Sequence, residues 1–201
     1  MRHRLFLTFG LFAVVGLLAG CSNQTGDNHQ AGATTSGSSA DSSGSGGPSA
    51  PKVAHPLDAS KFIKNPCSSL TIAQATAAGG FDVGSVTAKR DDTAGQPSCN
   101  WQESDLISVV WWSTTRTACR MRMRNQSSDA YFTPLTIDGY PAVLADSTDE
   151  RSQGTCLLVA GVSDQQVFSI HAESGPGVGA KSCTYAQNAA KAVIKNLGGN
   201  S

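Results

Sequence analysis

The junction at Cys21 most constrains what this chain of 201 residues can fold into. It separates an almost wholly apolar run, Leu5 to Leu18, from a polar stretch that reaches Pro56. The apolar run is shorter than the ~20 residues that an α-helix needs to cross a bilayer. The basic segment Met1 to Arg4 precedes it, which is typical of a signal peptide. Residues 1–20 are therefore predicted to be a signal peptide, and any folded core must lie beyond the polar stretch.

The sequence Leu18-Ala19-Gly20-Cys21 resembles the lipobox of bacterial lipoproteins. The resemblance implies cleavage before Cys21, diacylation of its sulfur and acylation of the new amino terminus. Because each buried CH₂ contributes about 0.8 kcal/mol, several acyl chains hold a protein on a membrane where one chain would bind only marginally. Cys21 is thus the predicted lipidation site, and the outer face of the cell membrane is the predicted location. An ordinary secretory signal or an uncleaved anchor is the alternative.

Residues 21–56 are predicted to be the lipidated cysteine and a disordered tether. They are rich in Gly, Ser, Thr and Ala and contain no Phe, Trp or Tyr, so they cannot bury enough apolar area to offset the entropy of ordering. A flexible chain of about 35 residues has a root-mean-square span of ~33 Å. Residues 57–201 then form the globular domain, which is long enough for one domain with a core but hardly for two.

Helix signals stand at both ends of this predicted domain. Thr71 and Gln74 have capping-box spacing before an Ala-rich stretch that Gly79 and Gly80 end. A second helix is predicted from Ser182, where apolar residues recur at helical spacing on one stripe: Cys183, Ala186, Ala189, Ala190, Val193, Ile194 and Leu197. Cys183 is therefore expected to face the rest of the fold and not water.

The sequence between the two helices is typical of β-strands. Strand-like runs cover residues 85–89, 106–112, 132–137, 141–145, 155–160 and 165–173, and a further strand is predicted to begin at residues 97–101. Alternation sends Trp111 and Trp112 to opposite faces of their strand, so at least one of them fills a core or lines an exposed groove. The continuously apolar run 155–160 predicts a central strand covered on both faces. The predicted class is α+β, an antiparallel β-sheet packed by an N-terminal and a C-terminal helix in one domain.

Cysteines are expected to link these helices to the sheet. Outside the cytoplasm thiols oxidise, and with Cys21 lipidated the five others of the six cysteines allow at most two bridges. Cys156 on a central strand and Cys183 on the helix stripe are natural partners. Cys67, ahead of the first helix, and Cys99, at a strand start, form the other pair. Each bridge would close a loop of about 30 residues and stabilise the fold by on the order of 3.5 kcal/mol.

The segment around Cys119 is ambiguous. The two predicted pairs do not use this cysteine. It is a buried free thiol, a partner in an intermolecular bridge or a substitute for a cysteine of one of the two pairs. Arg120 to Arg124 alternates arginine with methionine, so a strand would place three arginines on one side; a loop or short helix is equally compatible. The three arginines would then form either a small strip that binds anions or a solvated sheet edge that prevents pairing with another strand. No metal site is predicted, because the chain has no CxxC or close Cys/His cluster.

Several short motifs together carry a resemblance that covers nearly all of the chain beyond the tether. They are Pro66-Cys67-Ser68-Ser69-Leu70-Thr71, Cys99-Asn100-Trp101, Gly139-Tyr140-Pro141-Ala142-Val143, Cys156 in an apolar strand and Cys183 before the last helix. They are similar to an actinobacterial (mycobacterial-type) surface lipoprotein family with a cysteine-containing domain of unknown function. The resemblance implies the same two bridges, a cell-envelope setting and no known catalytic residues. More distantly, the layout resembles Mog1/PsbP-like domains and the extracellular sensor domain of mycobacterial receptor kinases.

Charge and residue types exclude several classes of function. Without Arg2 and Arg4 of the signal, thirteen basic residues stand against fifteen acidic ones, a formal charge of −2, which gives no electrostatic footprint for nucleic acid. No phosphate-binding glycine loop, dinucleotide fingerprint or Gly-x-Ser-x-Gly elbow is present, so no cofactor and no catalytic residue is predicted.

The predicted function is therefore a non-enzymatic binding module for an envelope component, an apolar ligand or a protein partner. Trp111, Trp112 and Tyr140 are the predicted contact residues, because exposed aromatic rings near one another in sequence suit recognition. The first alternative is a small cell-wall hydrolase, whose base would be His171, the single histidine of the predicted domain. The second is a sensor or accessory subunit of a membrane complex.

Overall fold

One antiparallel β-sheet carries the fold in the computed structural model, which describes residues 52–82, 84–92, 95–103, 106–113, 126–175 and 179–199. Three α-helices are found in these residues: α1 (Ser60–Lys64), α2 (Ile72–Gly79) and α3 (Gly179–Leu197). The strands are β1 (Thr87–Arg90), β2 (Ser98–Gln102), β3 (Leu106–Ser113), β4 (Tyr131–Ile137), β5 (Tyr140–Asp146), β6 (Thr155–Gly161) and β7 (Gln166–Glu173). Short 3₁₀ helices lie at Pro66–Ser68, Gln126–Ser128 and Arg151–Gln153.

The seven strands of the described residues are ordered β1-β2-β3-β7-β6-β5-β4. Every neighbouring pair is antiparallel. The last strand, β7, lies in the middle, where it pairs with β3 so that Val109 is opposite Ile170. The predicted α+β class, with an antiparallel sheet packed by helices in one domain, is confirmed.

The main core lies between the helices and one face of the sheet, which we call the helix-covered face. Its centre is the fully buried Trp111, whose ring centroid is 5.1 Å from that of Phe168 and 5.5 Å from that of Phe62 on α1. The apolar stripe of α3 packs here as predicted, through Ala186, Ala189, Ala190, Val193 and Ile194. Aromatic pairs at such distances add to the stabilisation that comes from burial alone.

Both disulfides lie on the same side as the helices. Cys67, in the 3₁₀ helix, is bonded to Cys99 on β2, and Cys156 on β6 is bonded to Cys183 on α3, with Cα–Cα distances of 5.0 and 5.1 Å. These are the two pairs predicted from the sequence. Because each bond joins a helical segment to a different strand, the two bonds fix the helical layer at two separate places.

A network of amides joins α2 to the end of α3. Gln74 and Asn196 exchange side-chain hydrogen bonds of 3.0 and 2.8 Å, and the Asn196 amide also donates to the Ser69 carbonyl at 2.8 Å. The predicted capping box is present, since the Gln74 N–H donates to Thr71 Oγ1 at 3.1 Å and the Thr71 N–H to Gln74 Oε1 at 2.9 Å. Gly80 follows with φ +68°, the left-handed conformation expected after a helix.

Several boundaries differ from the sequence-based predictions. The last helix begins at Gly179, before Ser182, and α1 was not predicted at all. The predicted boundary at residue 57 assigns Val53 to the tether, but Val53 is buried in the core. This segment is held on the sheet by backbone hydrogen bonds, among them the one that the Leu57 N–H donates to Val162 O at 2.8 Å. The predicted lipidation site Cys21, the predicted signal peptide, Cys119 and the Arg/Met segment lie outside the described residues.

Within the described residues, no helix is both long enough and apolar enough to span a membrane.

Candidate functional site

The opposite side of the sheet has none of the described helices packed on it, and we call it the helix-free face with reference to the described residues alone. Strand alternation places there the neighbours of the core residues, because successive side chains point to opposite sides. One half of this face is apolar: Val143, Ala145, Val159 and Val167 form a small buried cluster, against which Trp112 and Phe132 pack. The other half, towards β1, is polar. The central strand β6 is only partly covered here, since Leu157 is half-buried.

Trp112 is one of two half-buried aromatic side chains on this face, the other being Phe132. The Trp112 indole N–H donates to Ser169 Oγ on the neighbouring strand β7 at 3.3 Å. The other two tryptophans, Trp101 and Trp111, are fully buried. The alternation predicted for Trp111 and Trp112 is thus observed, with one ring in the core and the other on the helix-free face.

Two of the three predicted contact residues are buried, so they have no accessible surface that could contact a partner. Trp111 is 0% exposed, and its indole N–H donates to Ser69 Oγ at 3.1 Å. Tyr140 is 5% exposed and belongs to the core of the helix-covered face. Position in the sequence grouped these rings with Trp112, but the pleat of β3 and the packing of α3 separate them. Of the three, Trp112 alone stays a predicted contact residue.

A row of four polar side chains crosses the helix-free face. Lys89 on β1 is paired with Asn100 on β2, Asn100 with Ser108 on β3, and Ser108 with His171 on β7. Neighbouring strands lie ~4.8 Å apart, so the row is ~14 Å long. We call Lys89, Asn100, Ser108 and His171 the polar row. No local sequence pattern predicts this row, because only the register of four strands brings these residues together.

A cavity of about 420 Å³ lies at the β1 end of this row. It is lined by Thr87, Lys89, Arg90, Asp91, Asp92, Asn100 and Gln102. Arg90 Nε is 2.7 Å from Asp92 Oδ2, and Arg90 Nη1 donates to the Lys64 carbonyl at 2.9 Å. Within the described part of the chain, the Lys89 ammonium and the side-chain amides of Asn100 and Gln102 have no hydrogen-bond or ion-pair partner. These groups are therefore free to bind a ligand.

The other end of the row contains the histidine. His171 Nδ1 lies 3.3 Å from Glu173 Oε1, and the two side chains are 36% and 49% exposed. A carboxylate at this nitrogen orients an imidazole as in a catalytic base, and Ser108 stands opposite on β3. The Ser108 hydroxyl makes no hydrogen bond to His171 within the described residues. The arrangement supplies a base and an orienting acid, but not an activated nucleophile.

A separate charged cluster lies at the β4 side of the sheet. The Arg151 guanidinium is 4.2 Å from the centre of the Tyr131 ring and donates to both carboxylate oxygens of Asp149, at 2.7 and 2.6 Å. The hydrogen bonds from Arg151 lower the pKa of Asp149, and burial raises the pKa of Tyr131. Because each of the three has a partner inside the cluster, we interpret it as structural.

No group of three or more His, Cys, Asp or Glu side chains in the described residues is arranged to hold a metal ion.

Comparison with known proteins gives the family of the chain and not its activity. No curated protein and no solved structure matches it significantly. A family model described as Protein of unknown function (DUF3558) matches residues 16–196. This range includes both disulfides, the whole sheet and the polar row, and the chain therefore belongs to the DUF3558 family.

Proposed function

We propose that the protein is a surface lipoprotein whose domain binds an envelope component, without catalysis, through the helix-free face. The observation that carries this proposal is the polar row, whose Lys89 and Asn100 side chains have no partner in the described residues although Trp112 lies on the same face. Because Lys89 is exposed and Asn100 is half-buried, their polar atoms are in reach of solvent and can exchange water for the hydroxyl or carbonyl groups of a ligand.

The proposed location rests on the sequence before the domain and on the disulfides. The lipobox-like Leu18-Ala19-Gly20-Cys21 supports lipidation of Cys21, and two bridges suit a compartment outside the cytoplasm. The motifs shared with actinobacterial surface lipoproteins support the same setting. Mass spectrometry of the mature protein is expected to show an acylated Cys21 at the amino terminus. A Cys21→Ala variant should appear in the soluble fraction, and an unmodified Cys21 in the wild type would contradict the proposal.

Binding through the helix-free face can be tested by co-sedimentation with purified cell envelope. We expect Trp112→Ala to lower the bound fraction several-fold, because truncating a central aromatic contact commonly costs more than 1 kcal/mol of binding free energy. Ile72→Ala is the matched control, since Ile72 is 48% exposed but lies on α2, on the opposite side of the sheet. Equal binding by both variants would contradict the proposal. Trp112 fluorescence provides a second measurement, because the other two tryptophans are buried.

A small hydrolase is the second candidate, and the contact between His171 and Glu173 favours it. Such an enzyme would use His171 as base, with Ser108 or a water molecule as nucleophile. It predicts release of soluble fragments from the envelope that His171→Ala abolishes while co-sedimentation remains. A binding module predicts no release by the wild type, so the same assay separates the two candidates.

A further inference from the structure

We infer that the cavity at the β1 end of the polar row binds a neutral oligosaccharide. This inference rests on the proposed function, since it names the class of envelope component that the helix-free face would recognise. The cavity's volume of about 420 Å³ falls within the ~300–1,000 Å³ that small-molecule sites commonly have. Its lining side chains are polar or charged, and none is aromatic or aliphatic.

The mixture of donors and acceptors in the lining suits hydroxyl groups. The Asn100 and Gln102 amides each offer both a donor and an acceptor, Lys89 offers only donors, and carboxylates offer only acceptors. A hydroxyl group both donates and accepts, so a ligand with many hydroxyls satisfies all of these side chains. An apolar ligand would leave them unpaired, which is costly for groups removed from water.

The charges of the lining favour a neutral ligand. Two basic residues, Lys89 and Arg90, and two acidic ones, Asp91 and Asp92, line the cavity, although the Arg90 guanidinium turns to the helix-covered side and donates to the Lys64 carbonyl. Because the two signs are equal in number, the lining has no net charge that would favour an anion or a cation over a neutral ligand. The Arg90–Asp92 contact of 2.7 Å already balances one charge of each sign.

The length of the polar row favours a chain of sugars over a single one. From Lys89 the row continues beyond the cavity to Ser108 and His171, over ~14 Å. Lys89 and Gln102 are exposed, and Asn100, Ser108 and His171 are half-buried, so the row is accessible along its length. Strand pairing fixes these side chains in a line, which a linear ligand can follow without reordering the protein.

The test is isothermal titration calorimetry of the full chain in a detergent without a sugar headgroup. The probes are N,N′,N″-triacetylchitotriose and maltotriose as neutral trimers and trigalacturonate as the acidic trimer. We expect at least one neutral trimer to bind and trigalacturonate not to bind. Asn100→Ala and Lys89→Ala should each weaken the binding about fivefold, the effect of one lost hydrogen bond. The matched controls are Gln165→Ala and Lys191→Ala, which remove an exposed amide and an exposed ammonium far from the cavity and should leave the affinity unchanged.

Three results would overturn the inference. They are binding of neither neutral trimer, tighter binding of the acidic trimer, and binding that Asn100→Ala and Lys89→Ala leave unchanged. The proposed function fails separately. If the trimers do not bind but Trp112→Ala still lowers co-sedimentation with envelope, the helix-free face is a binding surface for another component and only the oligosaccharide is excluded.

Discussion

The two faces of the sheet differ in what their side chains contact. On the helix-covered face, buried rings and aliphatic side chains pack together, and two disulfides join helices to strands. On the helix-free face, a small apolar cluster stands beside polar side chains that have no partners in the described residues. The difference teaches that stability is concentrated on one side of the sheet. Outside the buried cluster of Val143, Ala145, Val159 and Val167, the exposed and half-buried residues of the other side can vary with little loss of stability, as a recognition surface requires.

The sharpest test of this difference uses two adjacent tryptophans. We expect Trp111→Ala to lower the free energy of unfolding by about 3–5 kcal/mol, because it leaves a large cavity in the core. Trp112→Ala should cost about 1 kcal/mol, the centre of the distribution for point mutations. Urea denaturation followed by circular dichroism measures both values. Similar losses for the two variants would contradict the division between the faces.

The disulfides should contribute to stability but not to recognition. Replacing Cys156 and Cys183 together by alanine is expected to lower the free energy of unfolding by about 3.5 kcal/mol, because the bridge spans 27 residues and restricts the unfolded chain. The pair Cys67 and Cys99, 32 residues apart, should give a similar loss. If either double variant folds but no longer sediments with envelope, the helix-covered face takes part in binding and the comparison fails.

A smaller effect is expected for the amide network on the helix-covered side. Asn196→Ala removes the partner of Gln74 and of the Ser69 carbonyl, so it should cost about 1–2 kcal/mol. Gln165→Ala, which removes an exposed amide, should change stability by less than about 0.5 kcal/mol. Thermal unfolding of the two variants checks the contrast, and an equal effect would show that the network is dispensable.

The smallest effect is the pH dependence of the cluster at Tyr131. The folded-state pKa of Asp149 lies below its ordinary 3.8, because Arg151 donates hydrogen bonds to its carboxylate. Its contribution is therefore present above pH 3.8 and lost as the pH falls through the lowered value. Tyr131 has the opposite sign: burial raises its pKa above the ordinary 10.0, so its contribution is fully present below pH 10.0 and is lost as the pH rises from there through the raised value. Asp149→Asn should flatten the acid limb of the stability curve, and an unchanged limb would contradict this.

Local patterns predicted the features that depend on neighbouring residues. The Thr71–Gln74 capping box and the opposite orientation of Trp111 and Trp112 follow from helix and strand periodicity alone, and the structure contains both. The Cys156–Cys183 pair was predictable because Cys183 lies on a helix stripe that must face the sheet. In each case a short stretch of sequence contains the whole physical reason.

Features that depend on strand order were not predictable from such patterns. The pairing of β3 with β7 joins residues such as Val109 and Ile170, which are far apart in sequence, and no local signal specifies it. The polar row depends on that pairing, so Lys89 and His171 could not be assigned to one surface beforehand. The same limit explains the grouping of Tyr140 with Trp112, since only the packed structure shows that Tyr140 is buried.

The way in which the segment before α1 is attached has a mechanical consequence. The backbone N–H groups of Val53, Leu57 and Ala59 donate to Asp164, Val162 and Gln166, at 3.4, 2.8 and 3.0 Å. All three acceptors lie at the turn between β6 and β7, which are interior strands of the sheet. A pulling force applied through the chain before Lys52 would act on the hairpin of β6 and β7 before it acts on α1. The interior strands, held by neighbours on both sides, would therefore resist the pull.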